Sequence, residues 1–161
     1  MPTQARYGNE IGQVTARRRA SVTGLRANSF AALVMLLIEF GLGSWVNLYA
    51  HLPAADHGRG TFAAFADAIA KGPAGLSVHA VVGTLLIVTA IAAVVRAGLV
   101  RRPALIALAA VALLAIVMAW LSGAKFVGDA SSGASLGMAL GTGIAVLAYA
   151  STLLASNSAR T

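Results

Sequence analysis

Four long runs of apolar residues divide the chain, with polar segments between them. They occupy residues 29–50, 76–95, 104–121 and 134–155, and each is close to the ~20 residues that cross a bilayer core as a helix. A helix satisfies its own backbone hydrogen bonds in lipid, whereas a barrel needs short segments of alternating polarity. The pattern therefore predicts an all-α, polytopic membrane four-helix bundle, whose spans are numbered one to four.

The polar segments predict the orientation of the bundle. Residues 1–28 hold five arginines and the loop after span two holds three more, whereas the other two loops hold few cations, each offset by a carboxylate. Cytoplasmic loops of membrane proteins carry an excess of Lys and Arg, so both termini are expected in the cytoplasm. Residues 1–28 and 156–161 are then cytoplasmic tails, and residues 29–155 form the membrane domain.

A short helix is predicted between spans one and two, in the first outer loop. Thr61 can cap its start, and Gly72, which is followed by a proline, ends it. Its large apolar side chains share one face, at Phe62, Phe65 and Ile69. Such a helix would lie on the outer leaflet or over the mouth of the bundle. An ordinary ordered loop is the alternative.

The composition agrees with a membrane protein and excludes several classes of function. Hydrophobic residues make up 58% of the chain and charged residues only 11%, against about 25% charged in soluble domains. There is no cysteine, which excludes disulfides and thiolate sites. Most of the basic residues behind the net charge of +7 lie in the N-terminal tail and one short loop, where a membrane protein keeps its cytoplasmic positive charge, so no nucleic-acid partner is expected. Phosphate loops, nucleophile elbows and metal motifs are absent; we therefore expect a non-enzymatic protein without a metal site.

Glu39 near the middle of span one is the most costly residue to place in a membrane. An acidic side chain at the helix centre costs roughly 2.5–3.5 kcal/mol on insertion scales and usually faces the bundle interior. Asn47 and His51 follow on the same helical arc, with Ser44 beside it. Glu39, Ser44 and Asn47 are therefore a candidate polar intramembrane site lining an outward-opening cavity. Hydrogen bonding between helices, with no ligand, is the alternative.

His79 lies just inside the outer end of span two, and Met138 lies at a similar depth in span four. Imidazole and thioether groups both bind haem iron. His79, Met138 and His51 are thus candidate axial ligands for haem b, and Gly83, one turn below His79, leaves room for a flat ligand. A structural histidine and a space-filling methionine are the alternative.

Spans three and four differ in how they are expected to pack. Gly133, Gly137 and Gly141 repeat every fourth residue along span four, a pattern typical of close helix–helix approach. Span three is uniformly apolar up to Trp120 and is expected to face lipid.

The segments SVHAVVGTLLIV and GASLGMALGTG resemble parts of known haem proteins. Through them, spans two to four resemble half of haem A synthase and related four-helix haem-b bundles, in which histidines of the second and fourth helices pair. The resemblance implies haem binding through His79, although Met138 stands where the second histidine would be. The richness in alanine, valine and glycine also resembles small four-helix membrane proteins of high-GC bacteria, which implies a location in the bacterial inner membrane.

Three functions agree with these features. The first is a non-enzymatic accessory or small-ligand-binding bundle, which uses the glycine face of span four to form a homo-oligomer or join a larger membrane complex. The second is a b-type haem protein for electron transfer or haem handling. The third is a small transporter or channel subunit that uses Glu39 and acts as a dimer.

Overall fold

The computed structural model of the chain describes residues 3–49, 60–129 and 131–157. These residues form five helices and contain no strand, which confirms the all-α prediction. The helices are α1 (Thr3–Tyr49), α2 (Thr61–Lys71), α3 (Ala74–Val100), α4 (Pro103–Asp129) and α5 (Ser132–Asn157). The predicted short helix between spans one and two is confirmed as α2.

Four of these helices are long and apolar enough to cross a membrane, as predicted. The segments that could cross a membrane are Arg19–Tyr49 of α1, the whole of α3 and α5, and Pro103–Gly128 of α4. The shortest of these segments have 26 residues. At about 1.5 Å per residue this is ~39 Å, more than the ~30 Å hydrocarbon core. Large apolar side chains such as Leu37, Leu114 and Leu147 are exposed on the outside of the bundle, as contact with lipid requires. The chain is thus suited to be a multi-pass membrane protein.

The four long helices form an antiparallel bundle in which α1 and α4 each pack against both α3 and α5. The register of α1 on α3 is visible in two contacts. The side-chain amide of Asn28 donates to the carbonyl of Thr89 at 3.1 Å, and nearer the other end the carboxylate of Glu39 meets His79. Because the connections after α3 and α4 are short, each of these helices runs antiparallel to the helix that follows it.

Alanine dominates the interior of the bundle. The fully or almost fully buried alanines of α3 and α4 include Ala90, Ala93, Ala97, Ala109 and Ala112, with Ala145 and Ala148 on α5. Small side chains allow helix backbones to approach closely, which replaces the hydrophobic effect as a source of attraction inside lipid. The prediction that span three faces lipid is therefore wrong for one side of α4, because its alanine face is buried in the bundle.

The first helix extends well beyond the predicted first span. It begins at Thr3 rather than near residue 29, and its segment before Arg19 adds about 24 Å of helix. Val22 and Leu25, which fall in the predicted tail, are buried in the core. Their burial shows that α1 already packs in the bundle before its apolar run starts at residue 29. The apolar face of α1 therefore extends towards the N-terminus through a segment that is otherwise polar.

The turn between α3 and α4 is made by Arg101 in the left-handed conformation (φ 58°, ψ 34°). Its backbone N–H donates to the carbonyls of Ala97 and Gly98, which satisfies groups that a helix end leaves unpaired. Pro103 then starts α4, a position at which its missing N–H costs nothing. The two helices can therefore pack side by side after only two residues.

Candidate functional site

A cavity opens inside the bundle at the end where α2 lies, which we call the α2 end. The volume of this cavity is about 210 Å³. All five helices contribute side chains, and most of the wall is apolar. The polar side chains in the wall are Glu39, Ser44, Asn47, His79, Ser135 and Thr142.

Glu39 and His79 form a close pair across the α1–α3 interface. The distance from His79 Nδ1 to Glu39 Oε1 is 3.0 Å, and only 12% of the glutamate side chain and 22% of the histidine side chain are exposed. Nδ1 is not aligned for a hydrogen bond to the carboxylate and has no other hydrogen-bond partner among the described residues. The second carboxylate oxygen, Oε2, is buried and likewise has no hydrogen-bond partner in the described part of the chain.

Two glycines on facing helices make room for this pair. A Cβ placed on Gly43 of α1 would lie 3.0 Å from His79 Cε1, and one on Gly83 of α3 would lie 2.9 Å from Glu39 Oε1. Gly83 thus accommodates the carboxylate, and it also lines the cavity. Each member of the pair lies against a residue that has no side chain.

An aromatic group closes the α2 end of the cavity. The indole N–H of Trp120 on α4 donates to the hydroxyl of Thr84 on α3 at 3.1 Å. The Trp120 ring lies against Phe65 and Phe62 of α2, with centroid distances of 4.6 and 6.2 Å. A hydrogen bond from Ser77 to the Ile69 carbonyl holds the other end of α2. Phe65 and Trp120 both line the cavity, so α2 covers it with aromatic surface.

Span four contributes Met138 to the cavity and its glycines to packing. Met138 lines the cavity, and its sulfur would lie 3.3 Å from a Cβ on Gly123 of α4. A Cβ on Gly141 would lie 2.6 Å from the Ala115 carbonyl oxygen, and one on Gly137 would lie 2.5 Å from the Ser122 hydroxyl. These two glycines therefore face α4 within the same chain and are not open to a partner. Gly133 has nothing within 4 Å of its Cβ position.

The structure brings together most of the residues that the sequence singled out. One cavity contains Glu39, Ser44, Asn47, His79 and Met138, although they come from three helices. His51 lies outside the described residues. Sequence reasoning missed Trp120 as part of the site, because a tryptophan at the end of an apolar span is also typical of the membrane interface.

The described residues include no group of three His, Cys, Asp or Glu side chains that could hold a metal ion. Compared with known proteins, the chain matches no family model, no curated protein and no solved structure. The cavity and its polar pair are therefore the features from which function can be inferred.

Proposed function

We propose that the chain is a non-enzymatic membrane protein that binds a small ligand in the cavity at the α2 end. The observation that supports this function is the Glu39 carboxylate in the wall of a largely apolar cavity, with its oxygen Oε2 buried and unpartnered among the described residues. Buried polar atoms in folded proteins almost always have a partner, and a glutamate that only links helices would use its oxygens on neighbouring side chains. A carboxylate in the wall of an apolar cavity is typical of a ligand site.

The size of the cavity limits the ligand. An apolar cavity of about 150 Å³ holds benzene, and this one is about 210 Å³. A substituted benzene ring, or a molecule of similar size, therefore fits. Its apolar part would contact Phe65 and Trp120, and a polar group would reach Glu39.

Contact quenching of Trp120 fluorescence by 4-bromotoluene tests this function. The chain has two tryptophans, so Trp45→Phe leaves Trp120, in the cavity wall, as the reporter. We expect saturable quenching for this protein in phosphatidylcholine nanodiscs, because the heavy atom must enter the cavity. Empty nanodiscs give the partition of the probe into lipid, and a thermal melt verifies that the Trp45→Phe protein is folded.

A matched pair of variants separates the cavity from the lipid around it. Ala80→Leu adds bulk at a buried position that lines the cavity, and we expect it to lower the affinity for the probe several-fold. Ala107→Leu adds the same bulk to an exposed position of α4 and should have no effect. Quenching that never saturates, or that is equal in both variants, would show that the probe only collides with Trp120 from the lipid.

Haem b is a second candidate, because His79 and Met138 line the same cavity. A porphyrin is larger than the cavity volume of about 210 Å³, so the helices around the cavity would have to move apart to admit haem. The donor atoms of the two residues suit haem iron, and a carboxylate beside the other imidazole nitrogen is the usual support of such a histidine. The two residues would hold the group, which would supply electron transfer. An absorbance spectrum of protein from haem-supplemented cells tests this candidate. We expect a Soret band that His79→Ala removes, and a colourless protein would exclude haem.

We place the protein in a bacterial inner membrane with both termini in the cytoplasm and the cavity on the outer side. Arg19, Arg101 and Arg102 lie at or just beyond the ends of membrane-crossing segments at the end of the bundle opposite α2, which supports this orientation. The bilayer is the main partner. Association with a second copy or a larger complex would use a surface other than Gly137 and Gly141, since α4 covers them.

A further inference from the structure

Among the described residues, two side chains that line the cavity are ionisable, Glu39 of α1 and His79 of α3. The other helices contribute neutral side chains, among them Phe65, Trp120, Ser135, Met138 and Thr142, and none of the described lining residues is a lysine or an arginine. Glu39 is therefore the acidic group that these residues offer to a ligand.

The groups in the cavity wall suit a cation. Glu39 lines the cavity, and one oxygen of its carboxylate, Oε2, accepts no hydrogen bond from the part of the chain that the structure describes. Aromatic rings attract cations to their faces, and Phe65 and Trp120 are in the wall. The one N–H of Trp120 is already used by Thr84, so this side chain offers a ligand its ring and no donor. A carboxylate and aromatic rings recognise an ammonium group, whose N–H donors form charge-assisted hydrogen bonds.

We infer that the cavity binds a small lipophilic ammonium ion, which donates a hydrogen bond to the Glu39 carboxylate and packs its apolar body on Phe65 and Trp120. This inference rests on the proposed function, because it concerns the same cavity. It names the chemical class of the ligand, which the cavity volume alone leaves open.

Three probes of nearly the same shape test the inference: 4-bromobenzylammonium, 4-bromobenzyl alcohol and 4-bromotoluene. Each is titrated against the Trp45→Phe protein in nanodiscs of zwitterionic phosphatidylcholine, with Trp120 quenching as the signal. We expect the ammonium probe to bind about tenfold more tightly than the alcohol, the difference between a charge-assisted and a neutral hydrogen bond. Glu39→Gln should remove this preference and leave 4-bromotoluene binding in place.

A further variant assigns the effect to the carboxylate in the cavity wall. Asp67→Asn removes a carboxylate of α2 that pairs with Lys71 at 3.2 Å and does not line the cavity, so the preference for the ammonium probe should remain. Thermal melts verify that each variant is folded, and the 4-bromotoluene signal verifies that its cavity is intact.

The outcomes separate the inference from the function on which it rests. Equal affinity for all three probes, or a preference for the alcohol, would overturn the ammonium ligand and leave the ligand-binding cavity standing. Saturable binding of none of the probes would overturn the proposed function itself. A preference that survives Glu39→Gln would also overturn the inference, because the cation would then be recognised elsewhere.

Discussion

At the scale of single residues, the carboxylate of Glu39 occupies a position that a glycine on the facing helix leaves free. A Cβ added at Gly83 would lie 2.9 Å from Glu39 Oε1, and a Cβ added at Gly43 would lie 3.0 Å from Cε1 of the His79 ring. Real Cβ atoms rarely come this close, so a side chain at either position would displace the polar pair. The chemistry of the site therefore depends on two residues that carry no functional group.

We predict that Gly83→Ala moves the Glu39 carboxylate without unfolding the protein. The atom it meets is the end of a flexible side chain, so the carboxylate shifts and the helices do not. The expected result is a smaller preference for 4-bromobenzylammonium over the alcohol, measured by Trp120 quenching. Gly41→Ala is the control, because its Cβ position has nothing within 4 Å. An unchanged preference in Gly83→Ala would show that the position of the carboxylate does not matter.

We predict that Tyr149→Phe leaves stability unchanged or raises it. Tyr149 is fully buried and its hydroxyl has no hydrogen-bond partner, so removing the oxygen also removes a desolvation cost of about 1–3 kcal/mol. Thr152→Val is the comparison, because the buried Thr152 hydroxyl donates to the Ala148 carbonyl at 2.9 Å. Thermal unfolding in detergent measures both variants. A clear loss of stability in Tyr149→Phe would mean that the hydroxyl has a partner.

At the scale of helices, the contact between α4 and α5 depends on close backbone approach. Gly141 is buried, and its Cβ position lies 2.6 Å from the backbone oxygen of Ala115 and 2.9 Å from the Ala119 side chain. A backbone atom cannot rotate out of the way as the end of a side chain can. The two helices must therefore separate if any side chain is added here.

We predict that Gly141→Ala destabilises the bundle by about 1–3 kcal/mol, the usual cost of overpacking a core. Gly143→Ala is a matched control on the same helix, because nothing lies within 4 Å of its Cβ position. That control should be neutral or stabilising, since alanine favours a helix more than glycine does. Unfolding in increasing denaturing detergent measures the difference, and equal stability of the two variants would contradict the packing role of Gly141.

The contact of α2 with the bundle explains why this short helix is ordered. Eleven residues are too few for a stable isolated helix in water. The tilted ring contact between Phe65 and Trp120 holds this helix on α4, and the hydrogen bond from Ser77 to the Ile69 carbonyl holds it on α3. Its position over the cavity therefore comes from tertiary contacts and not from its own propensity.

At the scale of the whole molecule, the four candidate spans of the described residues place the start of α1 and the end of α5 at the same end of the bundle. In the orientation that we propose, this end, with its arginines, lies in the cytoplasm. The cavity would then be reached from the outer side of the membrane or from its outer leaflet. A ligand for such a site would come from outside the cell or from the lipid.

We predict that residue 132 is labelled from outside intact bacterial cells and that residue 157 is labelled only after the membrane is opened. The chain has no cysteine, so Ser132→Cys and Asn157→Cys each carry a single reactive thiol. Both positions are exposed, at the two ends of α5. A membrane-impermeant maleimide reports accessibility, and the reverse labelling pattern would show that the protein has the opposite orientation.

Several parts of the site could be predicted from sequence because they follow from the cost of single residues in lipid. A carboxylate in the middle of span one had to face protein or water, and Glu39 does line the cavity. The arc through Ser44 and Asn47 followed from helical periodicity alone. The pairing of Glu39 with His79 could not be predicted, since it depends on the register between two helices distant in sequence.

The sequence by itself determined the four apolar spans, the all-α class and the short helix between spans one and two. These follow from the free energy of transferring a segment to lipid and from local turn residues, which are properties of neighbouring positions. Only the tertiary structure decided which faces pack inside the bundle. Alanine and glycine look equally apolar on every side of a helix, and their small volume matters only where another backbone approaches. The buried face of α4, the packing of Gly141 and the cavity around Glu39 were all decided in this way.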